Sequence, residues 1–248
     1  MRVLIYSDIH ANLEALEAVA AAAAGCDSSL CLGDIVGYGA SPNPASAWVQ
    51  RNSLVVIRGN HDRACASLHG LEWFNPTAAT AARWTHDQLQ PDAMEWLQLL
   101  PAGPKLWENH CLVHGSPLDE DEYLVTAAQA AGVFAATSAW VHWFGHTHLQ
   151  GGFGLDDDQV RELNAKPAAG DSAAVTRLQL KPEVRYLLNP GSVGQPRDGD
   201  WRAAFAILDT ATGVVEMRRV PYDIATAQRR IIEAGLPAGL AQRLAKGK

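Results

Sequence analysis

At 248 residues, nearly half of them apolar, the chain is long enough for one large α/β domain or two small ones and too hydrophobic to be disordered. A formal charge of −7 argues against a broad basic surface for duplex nucleic acid, and no apolar run approaches the roughly 20 residues that cross a bilayer. The four cysteines (Cys26, Cys31, Cys65, Cys111) form no Cys-x-x-Cys pair, and the chain reaches Asp8 without space for a signal peptide, so reduced thiols and a cytoplasmic location are expected.

In chain order, Val3 to Ser7 is an apolar run of the kind that forms a strand covered on both faces, and it ends in Asp8-Ile9-His10. Asn12 opens an alanine-rich helix, Leu13 to Ala24, closed by Gly25. Leu30-Cys31-Leu32 predicts a second strand ending in Gly33-Asp34. A loop, Gly37-Tyr38-Gly39-Ala40-Ser41-Pro42, then leads to a short helix near Trp48. Leu54-Val55-Val56-Ile57 predicts a third strand, running into Arg58-Gly59-Asn60-His61-Asp62. Strand, helix, strand, helix, strand is the rhythm of a parallel sheet with right-handed crossovers.

The rhythm lapses at about 69–104, where two helices, Thr77–Gln90 and Asp92–Leu100, are expected as an insertion into a single domain spanning 1–248. The sheet resumes with Cys111-Leu112-Val113, ending in His114-Gly115. The acidic run Asp119 to Glu122 reads as a solvated loop and helix start. Val141–Phe144 ends in Gly145-His146-Thr147-His148, and Gly151–Gly154 enters a second β region with strands at Val175–Leu180, Tyr186–Leu188, Ala203–Leu208 and Val214–Val220. A turn cluster, Asn189 to Gly194, lies within it. A helix near Ile224–Ala234 and a polar tail close the chain.

Five strand ends thus deliver Asp8 and His10, Asp34, Asn60 and His61, His114, and His146 and His148. In open α/β sheets ligands bind outside the carboxyl ends of the strands. Carboxylate, amide oxygen and imidazole without thiolate suit divalent transition metals, manganese favoured, with iron, cobalt, nickel or zinc as alternatives. Seven donors exceed what one tetrahedral ion takes, so two ions bridged by a carboxylate are expected. His69, His86, His110 and His142 fall outside the series and read as structural.

Asp8-x-His10, Gly33-Asp34, Gly59-Asn60-His61-Asp62, His114-Gly115 and Gly145-His146-Thr147-His148 together resemble the motif series of the calcineurin-like metallophosphoesterases, and Asn189–Asp200 resembles a later motif of the bacterial phosphodiesterase branch. The resemblance implies a four-layer α/β/β/α sandwich of two mixed sheets. It implies that Asp8, His10 and His148 bind one metal ion, that Asn60, His114 and His146 bind the other, and that Asp34 bridges. It also implies a catalytic His61, with Asp62 or a main-chain carbonyl to orient it. The reaction expected is hydrolysis of a phosphodiester, in a nucleotide or other small molecule, by a hydroxide held between the ions. The alternatives are a phosphomonoesterase, phosphoprotein phosphatase or dinucleoside polyphosphate hydrolase, and a non-catalytic interaction scaffold.

Gly37-Tyr38-Gly39 replaces the stretch in which phosphoprotein phosphatases and symmetrical dinucleoside tetraphosphatases carry an arginine. That departure favours a diester over a dianionic monoester. Arg58, Arg197 and Tyr38 are the substrate-binding candidates. A small phosphorylated substrate is the expected partner, with no duplex nucleic acid and no membrane; the oligomeric state is open, a homodimer included.

Overall fold

The computed structural model describes residues 1–248. Its elements are β1 (Arg2–Tyr6), α1 (Leu13–Ala22), β2 (Ser28–Cys31), α2 (Pro42–Asn52), β3 (Val55–Val56), α3 (Asn60–Ser67), α4 (Pro76–Gln88), α5 (Pro91–Leu99), β4 (Lys105–Trp107), β5 (His110–Leu112), α6 (Ala127–Ala136), β6 (Val141–Trp143), β7 (Gly151–Asp156), β8 (Gln159–Leu163), β9 (Ala174–Gln179), β10 (Arg185–Asn189), β11 (Ala203–Asp209), β12 (Val214–Val220), α7 (Ile224–Glu233) and α8 (Ala238–Leu244).

Two six-stranded sheets face each other, ordered β3-β2-β1-β11-β12-β9 and β4-β5-β6-β10-β7-β8. Both are mixed: β1, β2 and β3 run parallel, as do β5, β6 and β10, and the remaining pairings are antiparallel. The period-two alternation of β1 explains the layering. Val3 and Ile5 point into the inter-sheet core with Leu30, Leu112, Trp143 and Leu188. Leu4 and Tyr6 point the other way, into a helix-covered core with Leu16, Val49, Phe205 and Ile231. On the second sheet, Phe153 and Leu187 meet Val133 and Phe134 of α6. The result is the expected α/β/β/α sandwich, and no helix is long and apolar enough to cross a membrane.

The stretch 69–104 holds α4 and α5, each entered through a proline in its first turn, where the missing N–H costs nothing. Asn75 caps α4 through its side chain. Several elements depart from the sequence reading, the edge strand β4 beside β5 among them. The stretch 151–163 forms a hairpin of β7 and β8, turned through Asp157 and Asp158, both at positive φ, as a two-residue hairpin loop requires. The expected polar tail instead folds back as α8, burying Leu236, Leu240, Ala241 and Leu244 in the helix-side core. Leu240, Ala241 and Leu244 recur at helical spacing as a short apolar stripe, and burial of that stripe fixes the segment.

Candidate metal centre

The strand ends of both sheets meet at one place. Asp8 and His10 follow β1, Asp34 follows β2, Asn60 follows β3, His114 follows β5, and His146 and His148 follow β6. Each chain must turn abruptly out of a buried strand, and five of these residues do so in the left-handed region: Asp8, His10, Asp34, His146 and His148 have φ between 49° and 64°. Such backbone costs of order 1–3 kcal/mol per residue and persists only where surrounding structure fixes it. Here His10 N and Ala11 N bond to the carbonyls of Asp34 and Ile35, at 3.0 and 2.8 Å, locking the first loop to the second. Gly59 lies so close to Asp34 that a Cβ would come 2.1 Å from its Oδ1, which brings the second and third loops together.

The donor atoms converge in two groups that share Asp34: Asp8, His10, Asp34 and His148, and Asp34, His114 and His146, the atoms within each group lying within 4.8 Å of one another. Asp8 Oδ1 is 3.3 Å from His148 Nε2, and Asp34 Oδ2 is 3.6 Å from His10 Nε2 and 3.4 Å from His114 Nε2. Every ring is oriented by a main-chain carbonyl that accepts from its other nitrogen. His10 Nδ1 faces Val36 O, His114 Nδ1 faces Leu32 O, His148 Nδ1 faces Gln195 O, and His146 Nε2 faces Asp121 O. Such bonds fix ring tautomer and orientation in metal sites. Asp8 Oδ2, Asn60 Oδ1 and His114 Nε2 are buried atoms without a hydrogen-bond partner. Buried lone pairs that no donor satisfies are what a bound cation would complete, so the residues fit a metal centre.

The electrostatics agree. Burial pushes His10 and His148 well below the usual imidazole value and His146 down to about 3, leaving neutral rings, the form that binds metal. Burial alone would raise Asp34 and lower His114. Their mutual attraction overrides it, holding the Asp34 carboxyl well below its ordinary range and lifting His114 to about 10. Burial and the Asp34 charge raise Asp8 to about 7.

His61 stands beside the donors. Its N–H donates to Asp34 Oδ1 at 2.8 Å, and its ring packs against His10, Tyr38 and Phe74 with centroids 4.9, 4.4 and 4.6 Å away. Its Nδ1 is buried without a partner. Gly37 makes room for it, since a Cβ there would come 2.5 Å from that nitrogen. Asp62 does not orient His61. Its carboxylate accepts from the N–H groups of Ile35, Val36 and Gly59 at 2.8, 3.1 and 2.9 Å, tying the second loop to the third. Arg58 is likewise engaged elsewhere, donating to Glu120 at 3.1 Å.

Tyr38 is only 6 % exposed, with its ring against His10 and His61, and so belongs to the wall of the site and not to an outer rim. Beside Asn60, His61 and His146 opens a cleft of ≈ 370 Å³, walled by Tyr38, Trp73, Phe74 and Tyr123. Trp73 is 85 % exposed at its edge. Arg197 is mostly buried, its N–H bonded to His148 O at 3.3 Å. The loop between β10 and β11 that carries it also supplies Gln195 O, and Ser192 Oγ in the same loop donates to Asp8 O. His142 bonds Thr137 Oγ1, His110 accepts from Trp143 Nε1, and His86 meets Cys65 O.

The sequence reading left out Tyr123, Asp121 and Gln195. Asp121 and Gln195 act through main-chain oxygens, which leave no trace in side-chain identity. Tyr123 follows the acidic run and carries no motif.

Residues 1–213 match the family described as the calcineurin-like phosphoesterase superfamily domain. The chain is 33% identical to an uncharacterized protein of Methanocaldococcus jannaschii over 257 residues, covering 99% of this chain and 98% of that protein. It is similar to the crystal structure of a metallophosphoesterase from Sphaerobacter thermophilus, 39% identical with a TM-score of 0.85, covering 100% of this chain and 99% of the other. A hypothetical protein from Pyrococcus horikoshii shares the fold at 21% identity and a TM-score of 0.75, covering 100% and 98% of the two chains.

Proposed function

Given that the chain belongs to the calcineurin-like phosphoesterase superfamily, we propose that it hydrolyses a small phosphodiester at a centre of two divalent metal ions, manganese favoured. The observation that carries this reading is the pair of donor groups sharing Asp34, with unsatisfied lone pairs aimed inward. Asp8, His10 and His148 would hold one ion, Asn60, His114 and His146 the other, and Asp34 both. When bound, such ions neutralise charge on a phosphoryl group and make water nucleophilic at neutral pH.

The chain's own residues supply the rest. Burial lowers His61 to about 4, so at neutral pH its ring is uncharged and offers one N–H. That N–H donates a hydrogen bond to a phosphoryl oxygen or to the leaving-group oxygen as negative charge develops there, which for one such donor contributes about 10²–10³-fold. Tyr38 and Phe74 fix the ring from both sides. The cleft beside it is lined by Trp73, Phe74 and Tyr123 and accepts the organic part of the ester.

A diester is favoured because Gly37-Tyr38-Gly39 places no arginine in the second loop. The charge of Arg197 near Asp8 and His148 supports a second reading, in which a phosphomonoester is the substrate. Metal-free protein assayed with single divalent metals, against a diester and a monoester reporter in parallel, tests the proposal. Metal-dependent turnover with the diester ahead is expected. No turnover of either ester with any metal would overturn it.

A further inference from the structure

The reading of the second loop as free of arginine holds for the sequence but not for the space around it. Two guanidinium groups arrive from the far end of the chain. Arg197, from the loop between β10 and β11, has its Nη2 on Gln195 Oε1 at 3.2 Å, and its Nε is buried with no partner. Arg243, from α8, lies with its Cζ 5.9 Å from the centre of the Tyr38 ring, the ring that itself packs on His10 and His61. Its Nε donates to an oxygen of Lys248, the last residue of the sequence, and its two Nη groups have no partner.

Neither guanidinium meets a side-chain carboxylate. Asp198, the neighbour that would be expected to neutralise Arg197, is taken instead by Arg219 and Lys166, and Asp200 is taken by Arg202. The other arginines without a carboxylate are exposed (Arg51, Arg83, Arg161) or, like Arg185, spend their N–H groups on the carbonyls of Phe134, Thr137 and Ala139, so unspent N–H groups held partly out of water set Arg197 and Arg243 apart. Burial opposes the charge on Arg243, and the charge of Arg197 opposes it further. Two like charges held partly out of water beside each other cost free energy unless an anion joins them.

We propose that Arg197 and Arg243 form an anion subsite beside the metal centre, which takes a negatively charged oxygen group of the substrate beyond the single charge of a plain diester. This inference rests on the phosphoesterase reading and refines its substrate. The group is either the third oxygen of a terminal phosphate or a phosphate adjoining the scissile one. A guanidinium presents a planar fork of N–H donors that matches either. Arg243 here is a specificity residue, with its guanidinium carried over the Tyr38 ring.

The test is titration calorimetry on the metal-loaded protein with inorganic phosphate, pyrophosphate and dimethyl phosphate, for the parent, Arg243→Met and Arg243→Lys. Methionine keeps an unbranched side chain and removes the charge; lysine keeps the charge without the fork. Phosphate or pyrophosphate should lose at least tenfold in affinity in Arg243→Met and less in Arg243→Lys, while dimethyl phosphate changes less than twofold. A greater loss for pyrophosphate assigns the subsite to an adjoining phosphate, and an equal loss assigns it to the third oxygen. Unchanged phosphate and pyrophosphate binding in both variants, or equal losses for all three anions, would overturn the subsite. Binding is read without turnover, so this result stands apart from whether either ester is hydrolysed.

Discussion

The Nε2 atoms of His10 and His148 lie 3.1 Å apart, although both rings have committed their Nδ1 hydrogens to main-chain carbonyls. Two neutral imidazoles so fixed turn lone pairs toward each other, with the Asp8 and Asp34 carboxylates alongside. A cation between them removes that repulsion. Adding Mn²⁺ or Zn²⁺ to metal-free protein should therefore raise its melting temperature. At a hundred times Kd the gain is about 2.7 kcal/mol, which corresponds to roughly 5–10 °C in a chain of this size. Elemental analysis should give near two equivalents in the parent and near one in His148→Ala, with Asp34→Asn weakening both sites. An unchanged melting curve, or a stoichiometry that His148→Ala leaves alone, would rule the centre out.

His61 bonds Asp34 through its main chain alone, and its ring, packed on Tyr38, makes no hydrogen bond at Nδ1. His61→Gln should retain both metal equivalents and lower kcat by at least tenfold, within the range for a misplaced hydrogen-bond donor to developing charge. Gly37→Ala should give a milder version of the same defect. Its φ of +87° and the 2.5 Å approach to His61 Nδ1 force the ring to move. If both variants turn over at the parent rate, His61 has no part in the reaction.

Asp62 predicts the opposite pattern. Its buried carboxylate accepts three main-chain N–H bonds that join the loops after β2 and β3. Asp62→Asn turns an N–H₂ toward one of those donors and should cost on the order of 1–3 kcal/mol of stability. Metal affinity should fall with it, because Asp34 and Asn60 sit on the tied loops. Full stability together with a lost kcat would instead place Asp62 in the chemistry.

A pH dependence follows from two histidines away from the site. Burial holds His110 down to about 4, and burial with the nearby Arg185 charge holds His142 down to about 4. The unfolded chain protonates both near 6.5. Between those values the unfolded state binds more protons than the folded one, so stability rises with pH and is lost progressively as pH falls from about 6.5 toward 4. His110→Asn/His142→Asn should begin less stable at pH 7 yet lose melting temperature more slowly down to pH 4.5. Parallel curves for variant and parent would contradict the assignment.

The motif-bearing half of the chain was legible because its information is local. Each apolar run stops at a polar cluster, and the stop itself places Asp8, Asp34, Asn60, His114 and His146 on one edge. What escaped was long-range. Asp157 and Asp158 look like any polar loop until their strands pair around them. The helix α8 is seven residues long and buries its stripe only because the groove beside α7 exists to receive it. Arg243 shares no spacing with Tyr38, and only the folded chain sets one beside the other. Asp62 is ambiguous in sequence for the converse reason: a carboxylate that orients a neighbouring histidine and one that staples two loops are identical there, and only the three main-chain N–H partners separate them.

The pairing of β1 with β11 bears on how the protein is made. β1 is a central strand, bonded on one side to β2 and on the other, antiparallel, to residues 206–209. The first side closes within some thirty residues of synthesis, but the second stays open until the chain is nearly complete. About 200 residues separate the partners, which at roughly 5–20 residues per second leaves the edge of Val3 and Ile5 bare for on the order of 10–40 s. Throughout that interval the nascent chain carries an apolar, unpaired strand edge, the feature that most invites wrong pairing with a neighbouring chain. His148, the turn cluster and β11 emerge in that order, so the last ligand of the centre is made before the strand that seals the sheet. The growing polypeptide can therefore gather the side chains of the candidate metal centre while its first sheet is still open.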